Sequence, residues 1–500
     1  MSLARGSADC IVGLGWGDEG KGRVVHKRAR GYEICGRGNG GSNAGHTLVL
    51  KDGRKIVVHA LPSGVVYPDK ELYIGSGCVV NPIKVLAEIA DLRANDIEVG
   101  DRLHISVLAT TVTPLHVLED KLTGAAIGTT GNGIGQAYTG KVMRSDELGL
   151  TNLRVSDVLS DPQRVKNLLH QRWSALKIAI LEKYQALFIL YCRKQESLKE
   201  LSPDFALEAV EKQVLSDIDS FIESVKVMSR QGWLERNAGW MNSQLAKGKR
   251  VLGEGAQAIG IDVTYGVHPY VTSSNAGPGA VLVGMDVAPQ FMGTVTGVIK
   301  AIASRVGNGP FVGEFGGEES EKYCAADPVP GRVVEQARYQ IATLLRSKNP
   351  MEVGIALRML GDEYGATTGR PRRLAPLNVH KLQQDVAIHG IDDIVITKLD
   401  RLADFSGAEL WHGDIPVIAG YELGGEEIDY EPTTESELRQ VVSRLELHPR
   451  FLKDISGITN SADLPLQAQA FVRAIAEKTR ASISAVGVGP GRDQLLDWAA

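Results

Sequence analysis

An apolar run, Cys10-Ile11-Val12-Gly13-Leu14, empties directly into Gly15-Trp16-Gly17-Asp18-Glu19-Gly20-Lys21-Gly22. A short apolar run of this kind reads as a buried strand. The loop after it has the G-x-x-x-x-G-K spacing of a phosphate cradle, in which backbone N–H groups and a lysine attract the anion. Two features strain that reading. Asp18 and Glu19 repel phosphate unless a divalent cation, or a proton to be removed, lies between. Gly22 stands where such loops usually carry the Ser or Thr that ligates magnesium, so a metal here needs oxygen from elsewhere, with Asp18 the nearest candidate. The loop points to chemistry rather than nucleotide storage, although a glycine cluster after a strand can also be a plain tight turn.

The rest of the chain sets the frame for this loop. Its 500 residues leave room for about two to four domains, but no internal repeat or low-complexity linker divides them, so one continuous fold over 1–500 is expected. Residues 8–160 alternate short apolar runs with glycine-rich turns and helical patterns, an α/β texture. From Asp161-Pro162 to Lys247 the pattern changes to long charged amphipathic segments, Val165 to Leu198 and Phe205 to Met228, which predicts an inserted helical subdomain over 161–247. Strand texture returns at Val251-Leu252-Gly253, Val295 to Ala303, Val353 to Leu357 and Ile394-Val395-Ile396. The expected fold is therefore α/β, with a large, mostly parallel central sheet whose ligands gather at the carboxyl ends of strands.

A net charge of -5 leaves no basic stripe for nucleic acid. The five cysteines, at 10, 35, 78, 192 and 324, show no C-x-x-C spacing, which argues against a zinc site or a disulfide framework. With no charged-then-apolar leader and no run of eighteen apolar residues, membrane insertion is not expected, and a cytoplasmic setting is.

Several other loops are candidate binding elements. Thr397-Lys398-Leu399-Asp400 follows an apolar strand and suits guanine: the aspartate accepts from N1–H and the exocyclic amine while the lysine stem covers the ring. Asn43-Ala44-Gly45-His46-Thr47 puts an imidazole on a glycine-rich loop where backbone can approach a ligand. Gly128-Thr129-Thr130-Gly131-Asn132-Gly133-Ile134-Gly135 is an anion-sized nest, and Thr367-Thr368-Gly369-Arg370-Pro371-Arg372-Arg373 sets three guanidiniums beside two hydroxyls, suited to carboxylate or phosphate. Glu254-Gly255-Ala256-Gln257 and Tyr270 to Asn275 offer polar groups for a purine edge or a ribose phosphate, or simply turn chemistry.

These motifs, together with Leu61-Pro62-Ser63-Gly64 and Arg305-Val306-Gly307, resemble the adenylosuccinate synthetase family in the same order along almost the whole chain. The resemblance implies a homodimeric ligase that joins L-aspartate to C6 of inosine monophosphate (IMP) while hydrolysing GTP with magnesium. It assigns Asp18 as the base that removes the purine N1 proton, His46 as acid toward the phosphates, and Lys21 as phosphate contact and support for an ionised Asp18. Magnesium would be held by Asp18 and the Gly45 carbonyl with phosphate oxygens. GTP would meet Gly17, Gly20, Lys21, Gly22, Thr47, Lys398, Asp400, Gly487 and Gly489. IMP would meet Asn43, Thr130, Gln257, Thr272 and Arg370, with Arg144 reaching the partner subunit's nucleotide. Aspartate would meet Thr367, Thr368, Arg370 and Arg372.

The chain also departs from the family pattern. Asn132 replaces an arginine that favours the aspartate carboxylate, and Gln136 replaces a proline. Leu374-Ala375-Pro376 replaces a small residue, glycine and tryptophan, which removes an aromatic wall. Gly487 lacks the usual serine hydroxyl, while Arg23 and His26 replace Lys and Asp. Two alternatives stay open on these residues: a divergent paralogue with another purine nucleotide or amino acid, and a GTP-binding NTPase or regulator. Gly22 argues against the plain NTPase, and the intact Asp18 and His46 against the regulator.

Overall fold

The computed structural model describes residues 5–50, 52–124, 129–326, 328–365 and 369–499. Its centre is a ten-stranded sheet. In chain order its strands are β1 (Ala8–Gly13), β2 (Ile34–Arg37), β3 (Glu71–Ile74), β4 (Leu103–Ser106), β5 (Leu234–Glu235), β6 (Val251–Glu254), β7 (Met292–Lys300), β8 (Asp393–Thr397), β9 (Ser482–Gly487) and β10 (Leu495–Asp497). In space they run β5-β4-β3-β2-β6-β1-β7-β8-β9-β10. Every neighbouring pair is parallel except the antiparallel edge pair β9–β10. The expected mostly parallel α/β sheet is what the chain forms, but Val353 to Leu357, read as strand, lies buried in a helix over Pro350–Gly361.

A parallel sheet is covered on both faces, so its strands are apolar on both sides. β1 shows this directly. Cys10 and Val12 belong to one buried cluster, with Met285, Phe291 and Phe471, while Ile11 between them belongs to the other, with Leu72, Ile105 and Phe221. The alternation follows from the two-residue period of a strand.

The chain moves outward from β1 through β2 to β5, returns to place β6 between β2 and β1, then builds the other side from β7. β1 is therefore the switch point, where loops from neighbouring strands diverge and leave a crevice. Several of these strands end on a buried polar residue: Arg37, Glu254, Lys300 and Thr397. The apolar run carries the chain through the core, and its last residue delivers charge or hydroxyl to the crevice.

Helix α1 (Lys21–Arg28) follows the β1 loop, α2 (Pro82–Arg93) and α3 (Pro114–Thr123) lie beside the sheet, and α4 (Ile134–Met143) follows the 129–133 loop. The helical stretch comprises α5 (Pro162–Glu182), α6 (Gln185–Arg193) and α7 (Pro203–Arg230). Asp161 caps α5 by accepting the Arg164 N–H at 3.0 Å. On α7 the buried residues Leu207, Val210, Val214, Ile218, Phe221, Val225 and Met228 recur at helical spacing and join the same apolar cluster as Ile11. A smaller five-stranded sheet includes Ile302–Arg305 paired antiparallel with Arg373–Asn378. This second strand begins just after Arg372, which it holds at the crevice.

Candidate active site

A cleft of about 2200 Å³ opens at the carboxyl ends of the strands around β1, walled on one side by α5 and α6 through Leu169, Arg172, Leu176, Leu187 and Tyr191. The phosphate loop forms its floor. Gly17 and Gly20 adopt φ of 102° and 92°, and Asp18 between them takes φ 58°, so the turn holds a non-glycine residue in left-handed geometry. The two acidic residues part company here. Glu19 turns inward, its Oε1 accepting the Gly17 N–H at 2.7 Å and its Oε2 pairing with the Lys21 ammonium at 2.8 Å. A Cβ on Gly13 would stand 2.8 Å from that ammonium, so glycine at 13 leaves room for the pair. Of the two, only Asp18 lines the cleft. The expectation that both acids stand among phosphates is corrected.

Asp18 keeps 47% of its side chain exposed and accepts a 2.6 Å hydrogen bond from Arg372. Burial of its surroundings opposes ionisation, but Arg372, then Lys300 and Lys21, outweigh it and hold the carboxyl below its ordinary value. Behind this pair lies a buried hub that sequence reasoning missed. Glu363 accepts from Arg372 at 2.8 Å, from Lys300 at 3.2 Å and from Lys398. Burial works against its charge, yet Lys300, Lys398 and Arg372 drive its carboxyl far below the usual range. Lys300 also donates to Ser304 at 2.6 Å, and burial pulls its ammonium down to about 8 despite Glu363. Asp18, Arg372, Glu363, Lys300 and Lys398 thus form one connected charge network.

His46 lines the cleft from the edge of a short hairpin and is 9% exposed. Its Nδ1 contacts Glu254, the last residue of β6, which is wholly buried. Ser63 donates to the same carboxylate through its hydroxyl and its backbone N–H, each at 2.6 Å. Burial penalises the Glu254 charge, but His46, Arg37 and Ser63 hold its carboxyl down at about 2. The carboxylate fixes the proton on Nδ1 and leaves Nε2 as the ring's remaining polar atom. Gly22 packs against this histidine: a Cβ there would lie 2.7 Å from His46 Cβ and 3.1 Å from Ser63 Oγ. The missing P-loop hydroxyl therefore has a steric cause. That Glu254 and Lys300 each end an apolar run is visible in the sequence, but the partners they meet across the fold are not.

Asn43, Gly45, Thr47, Thr130, Gln257, Thr272 and Arg370 line the same cleft as Asp18, Lys21 and His46. Asn43 braces its own loop by accepting the Gly41 N–H at 3.1 Å. Gln257 adopts φ 57°, and its Oε1 is buried without a protein partner. Asn132 accepts from Lys84 and donates to Thr130 at 3.1 Å. Thr367 and Thr368 lie outside the described residues. Arg373 leaves the expected guanidinium trio: it is 2% exposed and bound to Glu314 and the Gly307 and Gly309 carbonyls. Arg144 is exposed at the end of α4 with φ 71°, outside the cleft lining.

Lys398, Asp400, Gly487 and Gly489 sit apart from the open cleft. Lys398 is turned toward Glu363, and Asp400 Oδ1 is buried without a partner. Arg23 lines the cleft and also donates to the Gly489 carbonyl, so it links the two regions.

The family model described as adenylosuccinate synthetase matches residues 10–496. This chain belongs to the adenylosuccinate synthetase family. Among its curated relatives, adenylosuccinate synthetase 2 of Cupriavidus pinatubonensis is 34% identical over 492 residues, covering 98% of this chain and 97% of the relative. Adenylosuccinate synthetase of Parafrankia sp. is 35% identical over 491 residues, covering 97% of each. The solved structure of fully ligated adenylosuccinate synthetase from Plasmodium falciparum is 28% identical, with a TM-score of 0.72, over 99% of this chain and 100% of that one. Cyanophage S-2L succinoaminodeoxyadenylate synthetase, at 17% identity and a TM-score of 0.55, shares the fold over 99% of this chain and 96% of its own.

Set against the family pattern, the departure at 374–376 proves internal. Leu374 and Ala375 are buried in their strand, and Ala375 packs with Phe311, Ala303 and Trp16, whose ring lies 4.8 Å from that of Phe311. None of 374–376 lines the cleft. His26 is likewise buried, its ring 5.4 Å from that of Tyr67.

Proposed function

We propose that the chain joins L-aspartate to C6 of IMP at the expense of GTP, giving adenylosuccinate, GDP and phosphate. The observation that carries this is Asp18, a carboxylate held ionised on a phosphate loop by Arg372, Lys300 and Lys21. A plain NTPase has no purine ring proton for such a group to remove. In a ligase it takes the N1 proton of the purine while O6 attacks the γ-phosphorus of GTP and GDP departs. The product of this half is a 6-phosphoryl purine. The amino nitrogen of aspartate then attacks C6, phosphate leaves with the C6–O6 electron pair, and the nitrogen gives up its proton. A carboxylate stabilised by cations is a weak base, but a bound triphosphate neutralises Lys21 and Arg372, so Asp18 gains basicity as the donor arrives. His46, oriented by Glu254 and Ser63, presents Nε2 to the β/γ-phosphate region as an acid.

Asp18 and the Gly45 carbonyl are the oxygen donors for magnesium on the cleft floor. Among the described residues no group of three or more His, Cys, Asp or Glu side chains could hold a metal, which fits a cation bound by one carboxylate, backbone and substrate phosphates. When bound, magnesium neutralises charge on the transferring phosphoryl group. Asn43, Thr130, Gln257 and Thr272 hold IMP; Arg370 and Arg372, with Thr367 and Thr368, hold aspartate and nearby phosphate; Lys398 and Asp400 read guanine.

The enzyme acts as a homodimer in which Arg144 reaches the partner's nucleotide. Its exposure and left-handed backbone on the rim of α4 support that role. Its five buried, unpaired cysteines fit a reducing cytoplasm, and among the described residues no helix is long and apolar enough to cross a membrane.

One observation favours a second reading of the co-substrate. Asn132, where the family pattern has an arginine, brings no charge of its own and is engaged by Lys84. A matrix assay of phosphate release across purine monophosphates and amino acids tests both readings. Release of GDP and phosphate with a succinylated purine, dependent on IMP and aspartate together, is expected. Strong preference for another amino acid would establish the second reading, and hydrolysis indifferent to both co-substrates would remove the ligase assignment.

A further inference from the structure

Two departures from the family pattern, Arg23 and Gly487, meet in one contact. Arg23 lies in the first turn of α1, and its Nη1 donates to the Gly489 carbonyl. Gly487 ends β9, and a Cβ built there would overlap Arg23 Nη2, whereas the nearest backbone atom, Thr397 Cα, would stand 3.3 Å away. The guanidinium is thus the main obstacle to a side chain at 487. Asp400 lies within electrostatic reach: its charge supports the Arg23 cation against the burial that draws it down to about 10. Asp400 Oδ1 is buried and unpartnered, and its Oδ2 has Arg401 at 3.5 Å. A vacant acceptor and a cation with several donors therefore border the same end of the site. Guanine offers the matching edge, with N1–H and the exocyclic amine as donors and O6 next to them as acceptor. Adenine puts an amino group where O6 would be, and a guanidinium cannot accept from it.

We propose that Arg23 is a specificity-determining residue for the donor nucleotide: its guanidinium reads the purine O6 beside the two N–H groups read by Asp400, and residue 487 is glycine because that guanidinium fills the space. The proposal rests on the GTP-dependent reading given above. It makes guanine selection depend on a charged donor from the first turn of α1, in place of a hydroxyl on the 487 loop.

The test is steady-state kcat/KM of the full-length enzyme, with IMP and aspartate saturating, for GTP, 6-thio-GTP and ITP. Thio substitution keeps both N–H donors and weakens only the acceptor, while ITP keeps O6 and loses the amine. Wild type is expected to prefer GTP over 6-thio-GTP by about tenfold or more, the scale of one charge-assisted hydrogen bond. Arg23→Met deletes the guanidinium and Gly487→Ala displaces it without touching Arg23. Both are expected to collapse that preference to within about twofold and to leave the GTP to ITP ratio where it was. The double variant should add nothing to the collapse. Equal losses on GTP and 6-thio-GTP in Arg23→Met would overturn the proposal while leaving the ligase reading intact, as would an undiminished preference in Gly487→Ala. Wild type with no GTP-dependent turnover would remove that reading and the proposal together.

Discussion

The proposed chemistry turns on Asp18 and His46, and each is set by partners distant in sequence. Asp18→Asn keeps the shape of the loop and the hydrogen-bonding capacity toward Arg372 but cannot take a proton. Nucleotide binding measured by calorimetry is expected to persist while phosphate release falls by at least about a hundredfold, the scale of a lost general base. Turnover equal to wild type would take Asp18 out of the mechanism. Glu254→Gln tests the second residue. The amide cannot hold the proton on His46 Nδ1 as a carboxylate does, so kcat should drop about ten- to a hundredfold with KM for IMP and GTP little changed; an equal rise in KM and no change in kcat would make Glu254 a scaffold residue only. The candidate roles of Asp18, Lys21, His46 and Arg372 could be read because each sits in a loop with a chemical reason for its type. Those of Glu254, Glu363 and Lys300 were not. Their work consists of charges meeting across the fold, and a strand-ending carboxylate carries no mark of the histidine it will face.

At the level of elements, the phosphate loop and α1 show why a motif can break its own rule. The spacing announced a cradle, but Gly22 looked like a lost metal ligand until the hairpin carrying His46 was seen against it. Gly22→Ser, which restores the consensus hydroxyl, is therefore expected to harm the enzyme. Its Cβ must push His46 or Ser63 aside, an overpacking cost of about 1–3 kcal/mol, seen as a lower thermal midpoint together with loss of turnover. A fully active and equally stable Gly22→Ser would show that the loop has slack the packing does not suggest. The helices α5 and α7 were readable from their amphipathic period and their Asp161-Pro162 and Ser202-Pro203 starts. That α5 and α6 would wall the cleft was not readable, because periodicity says which face is buried and nothing about what it is buried against. The same limit applies at 374–376, where a change that seemed to strip an aromatic wall lies in a strand under Trp16 and Phe311.

For the whole molecule, the sheet order gathers strand-ending charge at the crevice around β1, and protons act on stability through buried groups. His26 is buried, with Nδ1 unpartnered and the Tyr67 ring tilted against it; burial first, then Arg492 and Arg30, push its pKa down to about 4. His116 is depressed to about 4 chiefly by burial, and its neutral Nδ1 accepts the Thr113 N–H at 3.2 Å. A histidine depressed on folding is protonated first in the unfolded chain, which has the ordinary value near 6.5. Between pH 6.5 and 4 the unfolded state thus binds more protons, and stability falls as pH falls, by up to about 1.4 kcal/mol per pH unit for His26. Glu254 adds to the loss below its unfolded value of 4.5, since its carboxyl titrates near 2 in the fold. Urea unfolding at fixed protein concentration should therefore show stability declining below pH 6.5, with a shallower decline in His26→Gln between pH 6.5 and 4. An identical slope in that variant would mean that the buried imidazole takes its proton without unfolding, and that the α1 side of the phosphate loop is more open to water than its packing shows.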